Sequence, residues 1–175
     1  MERQGLIEVY TGDGKGKSTA AFGLALRASG WGMHTAIVQF MKPGEGYGET
    51  EAIAQIPHIH LYSFGIKGFL RKGEQPDQES LKAASAAMQK AVQMMNDPNI
   101  DILILDEINN AIYFDLVSEE EVLSLLDQKR PDQELILTGR SATAVIIARA
   151  DLVTEMKEIK HPYQKGISAR RGIEY

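Results

Sequence analysis

The chain has 175 residues, which suits one domain with a sizeable core, since a domain usually takes ~100–200 residues. With 43% hydrophobic residues and a formal net charge of −5, it does not read as a general binder of nucleic acid or anionic membrane, although a local basic site is compatible with that balance. The absence of cysteine excludes disulfides and thiolate metal sites, and neither a signal-peptide pattern nor an apolar run of ~20 residues occurs, so a cytoplasmic α/β domain spanning 1–175 is expected.

Leu6-Ile7-Glu8-Val9-Tyr10 is a short β-prone run. It feeds Thr11-Gly12-Asp13-Gly14-Lys15-Gly16-Lys17-Ser18-Thr19, and an apolar helical run from Ser18 to Ser29 follows. Strand, glycine-rich turn and helix are the context of a phosphate-binding loop. The glycines let consecutive N–H groups turn inward as an anion nest, and the helix adds its positive N-terminal end. Lys17 would lie along the phosphates and the Ser18 hydroxyl could bind Mg²⁺. The pattern G-x-x-x-x-G-K-[ST] is met at Gly16-Lys17-Ser18, but Thr11 stands where its first glycine belongs. A ligand-free glycine turn is the competing reading, and the flanking elements favour nucleotide.

Ala20 to Ala28 is apolar on nearly every side, which predicts a helix buried against a sheet, stopped by Gly30 and Gly32 around Trp31. Thr35 to Phe40 reads as a second, largely buried strand. The glycine-rich loop from Lys42 to Glu49 follows it directly, on the rim where α/β folds bind ligands. Ile59 to Phe64 is a further strand, and a second loop to Pro76 carries Phe69, Arg71 and Lys72. Asp77 caps a long helix with Leu81, Ala84, Met88, Ala91 and Met95 at three-four spacing, ended by Asn96-Asp97-Pro98.

Ile100 to Leu105 is an almost continuous aliphatic run ending in Asp106-Glu107. A parallel strand buried on both faces would present those acids beside the phosphate loop. Asp106 could then hold Mg²⁺ through water or Ser18, and Glu107 could bind the ion or orient a reactant; simple capping of the next segment is the alternative for Asp106. Ser118-Glu119-Glu120-Glu121 is a capping box rather than a metal site. Glu134 to Thr138 is another strand, which places Arg140 on the same rim as a fixed cation for phosphate oxygens. A short helix over Ser141 to Arg149 and a strand over Asp151 to Met156 complete the alternation, which argues for a mostly parallel sheet covered on both faces. The segment 158–175 is irregular and basic, with Tyr163, Ile167, Ile173 and Tyr175 as its expected apolar anchors.

Thr11 through Gly23 resembles the phosphate loop of the P-loop ATP:corrinoid adenosyltransferases, with Asp13 and Ser18 where that family typically has Asn and Thr. The likeness continues through Val38-Gln39-Phe40, Leu105-Asp106-Glu107, Leu137-Thr138-Gly139-Arg140 and the ending from Lys165-Gly166-Ile167 to Gly172-Ile173-Glu174-Tyr175. It implies a RecA-like P-loop NTPase fold, a mostly parallel central sheet with helices on both faces, and a homodimer. It implies transfer of the 5′-deoxyadenosyl group of ATP to the cobalt of a Co(I) corrinoid, with tripolyphosphate leaving. Gly12, Asp13, Gly14, Lys15, Gly16, Lys17, Ser18, Thr19, Arg27 and Arg140 are the implied ATP-binding residues. Lys17 and Glu107 are the implied catalytic residues, Ser18, Asp106 and Glu107 the ligands of Mg²⁺, and Phe69 an aromatic wall beside the corrinoid.

The sequence departs from the family at Arg71, where some relatives carry tryptophan, and at the N-terminus, where only Met1 to Gly5 precede the first strand. Relatives often have a helix there that covers the corrinoid, so a more open corrinoid site is expected. A flavoprotein electron donor is the further partner the resemblance suggests; no nucleic-acid or membrane partner is expected. An ordinary P-loop ATPase or small-molecule kinase, and a non-catalytic carrier of nucleotide or corrinoid, are the competing functions.

Overall fold

Isoleucine and leucine alternate along the two central strands, and that alternation divides the core in two. In β4 (Ile102–Asp106), Ile102 and Ile104 enter one apolar cluster while Leu103 and Leu105 enter the other. In β5 (Glu134–Thr138), Ile136 joins the first cluster and Leu135 and Leu137 the second. Successive side chains of a strand point to opposite faces, so a run buried on both faces is apolar throughout. The computed structural model describes residues 3–66 and 73–175.

Both strands belong to a six-stranded sheet with β1 (Ile7–Thr11), β2 (Thr35–Phe40), β3 (Ile59–Phe64) and β6 (Leu152–Glu155). Every pairing is parallel and the order is β3-β2-β4-β5-β1-β6. This is the RecA-like arrangement, with β5 between the phosphate-loop strand β1 and the acid-bearing strand β4. All strand carboxyl ends therefore share one rim.

On one face α1 (Lys17–Ser29) lays Ala21, Ala25 and Ala28 over Ile37, Ile104 and Ile136, and α2 (Gly48–Ile53) adds Ile53. The small side chains at three-four spacing let the helix close on the sheet. The other face is covered by α3 (Gln78–Met95), α4 (Ile108–Tyr113), α5 (Glu119–Asp127) and α6 (Ala144–Arg149). The two expected caps are present: Asp77 accepts from Ser80 N at the start of α3, and Ser118 and Glu121 form the full capping box of α5.

Three expectations are corrected. α1 is buried along one stripe only, with Ala20 exposed and Leu26 55% exposed, because nothing among the described residues lies over its outer face. In α3, Ala84, Met88, Ala91 and Met95 are buried but Leu81 is exposed, one turn before the helix reaches the sheet's core. In the C-terminal segment Tyr163, Ile167, Ile173 and Tyr175 are 77%, 48%, 57% and 42% exposed, so they do not anchor it to this chain. Its hold on the phosphate loop is polar, as described below. The short helices α2 and α4 are additional to the expected elements, and α2 begins inside the glycine-rich segment from Lys42 to Glu49.

The end of α3 and the start of β4 are joined by Arg130, whose guanidinium donates to Met95 O, Asp97 O and Ile100 O at 3.0, 2.9 and 2.8 Å. One planar fork thus satisfies three carbonyls that the chain reversal leaves without helical or sheet partners. Arg130→Ala is expected to lower stability by about 2–3 kcal/mol in urea unfolding, the order for charged hydrogen bonds lost from part-buried groups. Lys at this position should recover less than half, since an ammonium lacks the fork. A loss below about 1 kcal/mol would mean that water replaces the guanidinium.

Candidate active site

The loop after β1 is shaped by its neighbours as much as by its glycines. Gly14 N donates to Met156 O at 2.6 Å and Met156 N to Thr11 O at 2.8 Å, so the chain just past β6 clamps the loop. A Cβ added at Gly14 would lie 2.6 Å from Met156 O, which explains glycine there without any appeal to φ. Gly12 and Gly16 have φ of 92° and 119°, the left-handed region that favours glycine. Thr11, in place of the motif's first glycine, accepts from Ala142 N through its hydroxyl at 3.2 Å and so ties the loop to the segment after β5.

Lys17 is buried at the start of α1, and its Nζ donates to Gly12 O and Gly14 O at 2.7 Å each. Burial, then the neighbouring charge of Arg140, pull its pKa below the ordinary lysine value. Asp13 and Thr19 are exposed. Lys15 reaches the end of the chain, donating to Ile173 O at 2.7 Å and Glu174 Oε1 at 3.1 Å. Hydrogen bonds from Arg170, first, and then Lys15 hold the Glu174 carboxyl down at about 2.

Beside the loop lies Asp106, the last residue of β4, fully buried. Its Oδ1 accepts from Thr138 Oγ1 at 2.7 Å, and its Oδ2 accepts from Lys42 Nζ at 2.8 Å and Gln39 Nε2 at 3.1 Å. Lys42 Nζ is also 3.4 Å from Ser18 Oγ. Burial alone would raise the Asp106 pKa, but the Lys42 charge and the converging hydrogen bonds outweigh it and hold it below the usual range. Burial likewise opposes the Lys42 charge, and Asp106 with Glu107 reverses that, raising its pKa. Asp106 is thus no mere cap.

Glu107 follows in the left-handed region at φ 65°, its N–H donating to Thr138 Oγ1 at 3.0 Å. Asn110 Nδ2 donates to its carboxylate. Burial, and then the Asp106 charge, raise its pKa. Hydroxyl and carboxylate oxygens from Ser18, Asp106 and Glu107 form the hard donor set that suits Mg²⁺. Among the described residues no three His, Cys, Asp or Glu side chains cluster into a full cage. Mg²⁺ sites characteristically use one or two carboxylates and take their other ligands from phosphates and water, so these residues fit that ion.

Arg140 is exposed at the end of β5, where its charge reaches both Lys17 and Glu107. Arg27 is not brought to the loop: it lies in the last turn of α1, ten residues or about 15 Å beyond Lys17, and its charge acts on Tyr10. Phe69 and Arg71 lie outside the described residues. Lys42 and Gln39 escaped the sequence reading, although a glutamine inside the otherwise apolar Thr35–Phe40 strand signals a buried polar partner. A separate groove of about 660 Å³ between α3 and α5, lined by residues including Met88, Val92, Glu120 and Leu125, shares no residue with this rim.

Comparison with known proteins turns on the whole chain. Residues 3–175 match the family described as ATP:corrinoid adenosyltransferase BtuR/CobO/CobP. The chain belongs to this family. A corrinoid adenosyltransferase of Sinorhizobium sp is 40% identical over 99% of the chain and 82% of that protein. The corrinoid adenosyltransferase of Pseudomonas aeruginosa is 35% identical over 99% and 85%, and Corrinoid adenosyltransferase CobA of Salmonella typhimurium 36% over 100% and 88%. In this adenosyltransferase the phosphate loop, the acids and Arg140 therefore lie on one rim, and no helix among the described residues is long and apolar enough to cross a membrane.

The raised pKa of Glu107 carries a sign. A carboxyl protonated more tightly in the folded state than in the unfolded one leaves stability unaffected below its unfolded pKa and lowers it once the pH rises above. Glu107→Gln is expected to stabilise the protein near pH 8 and to leave it unchanged near pH 4, in urea unfolding at both values. An equal gain at the two pH values would show packing, not ionisation, as the cause.

Proposed function

We propose that this protein transfers the 5′-deoxyadenosyl group of ATP to the cobalt of a reduced corrinoid in adenosylcobalamin biosynthesis or salvage. The family match across residues 3–175 carries the proposal. The nucleophile is Co(I) of the substrate, whose electron pair forms the bond to C5′. The C5′–O bond breaks and its electrons leave with tripolyphosphate. No general base is needed, so the chain has two tasks: to position the reactants and to stabilise charge on the leaving group.

The second task falls to the loop after β1. Lys17, the N–H groups of the loop from Gly12 to Ser18 other than that of Gly14, which Met156 O accepts, and the Arg140 guanidinium would bind the polyphosphate oxygens, the first of these by exchanging the carbonyls of Gly12 and Gly14 for phosphate. Ser18, Asp106 and Glu107 would hold Mg²⁺, which neutralises further polyphosphate charge when bound. Asp13, Lys15 and Thr19 line the exposed side of the loop, and Arg27 is assigned to the nucleotide only through the resemblance. Phe69 is assigned to the corrinoid, as an apolar wall that keeps water from the lower axial position of the metal. We further propose a single cytoplasmic domain acting as a homodimer, with a flavoprotein as electron source; these rest on the resemblance.

Reduced corrinoid, Mg²⁺ and ATP under anaerobic conditions should give a light-sensitive adenosylcorrinoid and tripolyphosphate. ADP with an unchanged corrin spectrum would instead assign the protein to the ATPases or kinases. Lys17→Ala should lower the adenosylation rate by at least about 10²-fold, the order for a lost transition-state donor, with the circular dichroism unchanged. Full activity of that variant would remove the loop from the reaction.

A further inference from the structure

The Lys42 ammonium occupies a corner that a divalent ion would otherwise fill. It sits 2.8 Å from Asp106 Oδ2 and 3.4 Å from Ser18 Oγ, between two of the residues assigned above to Mg²⁺. Its side chain is only 20% exposed, and Asp106 not at all. The backbone is built to aim it there. Met41, directly before it, is held at φ 61°, a conformation that a methionine adopts only against strain. Gly65 lets the two strand ends close on each other: a Cβ at Gly65 would lie 2.4 Å from Lys42 N and 2.5 Å from Met41 C. Two independent backbone features thus converge on the placement of one side chain.

We propose that Lys42 is a tethered cation that closes the metal corner of this site until metal and nucleotide arrive together. The proposal rests on the assignment of Asp106 and Ser18 to the metal. A buried carboxylate needs a compensating charge at all times. Lys42 supplies it in the nucleotide-free protein, and a divalent ion takes the same oxygen only if the ammonium leaves. A free ion gains little from that exchange, because one cation replaces another on Asp106. An ion already carrying ATP brings phosphate oxygens to complete its shell, and these also offer the displaced ammonium a new anionic partner. Metal loading ahead of nucleotide is thereby disfavoured.

The test uses Mn²⁺ alone as the probe, with free ion measured by its electron paramagnetic resonance signal against nucleotide-free protein. Lys42→Met should tighten Mn²⁺ binding at least tenfold, and Lys42→Gln, which keeps a donor for the carboxylate should the Met variant fold poorly, should do the same. Adding Asp106→Asn to either variant should return binding to the wild-type level. Mn²⁺ should also raise the melting temperature of the Lys42 variants more than that of the wild type, by mass action on the folded state. Unchanged or weaker Mn²⁺ binding by both variants overturns the proposal. Titration of Mn²⁺ with ATP then separates the two levels. If Asp106→Asn and Glu107→Gln weaken that binding, the metal corner stands and only the closing role of Lys42 fails. If both leave it unchanged, the assignment of the corner is wrong and the proposal falls with it.

Discussion

A carboxylate with no exposure to water sits at the end of the central strand, and the rim of the sheet is assembled around it. An unpaired charge at Asp106 would oppose folding strongly, and one removed from water is tolerated only when its oxygens are fully engaged. The partners come from separate parts of the chain: Gln39 within β2, Lys42 just after it, and Thr138 at the end of β5. Thr138 uses the same hydroxyl to receive the N–H of Glu107. Three strand ends are thus fixed relative to one another by a single charge, and the first turn of α1 lies against it through the contact of Ser18 with Lys42. Burial beneath this cluster comes from the alternating leucines and isoleucines, which hold β4 and β5 in register whatever the rim does.

That apolar base allows the rim to carry strain. Left-handed residues gather at the carboxyl ends of the strands: Gly12 and Gly16 after β1, Met41 after β2, Glu107 after β4, and Gly139 and Ser141 after β5. For a residue other than glycine such a conformation costs about 1–3 kcal/mol and persists only where the surroundings enforce it. Met41 and Glu107 each turn the chain abruptly after a buried strand, one to aim Lys42 inward and the other to bring a second carboxylate beside the first. Gly139 has no room for a side chain, since a Cβ there would lie 2.9 Å from Asn110 N.

What the sequence made legible was local. The phosphate loop, the aliphatic strand ending in Asp106-Glu107 and the capping box at Ser118 all announce themselves within a dozen residues, because their physics is local too. What it hid was contact over distance. Lys42 and Asp106 are 64 residues apart, Thr11 and Ala142 131, and Lys15 and Ile173 158. A glycine-rich loop gives no sign of which of its charged residues will turn inward, so nothing in the segment from Lys42 to Glu49 singled out Lys42. The opposite error occurred in the tail, where tyrosines and isoleucines suggested apolar anchoring. There the actual attachment is the ammonium of Lys15 on a backbone carbonyl and on Glu174.

The walls of the phosphate loop consequently differ in permanence. One wall is the Met156 backbone, joined to Gly14 and Thr11 by two hydrogen bonds and packed so closely that Gly14 admits no side chain. Thr11 adds a second fixed tie through its hydroxyl, and this accounts for the motif's missing first glycine: the position is used for a tertiary hydrogen bond instead of for backbone freedom. The other wall is the chain's last residues, held by Lys15 in exposed polar contacts. Exposed ion pairs contribute little, whereas a clamp of backbone hydrogen bonds cannot open without breaking into the sheet's edge. A loop built this way would hold its N–H groups other than that of Gly14 preorganised for an anion, while the side facing the C-terminus stays exchangeable.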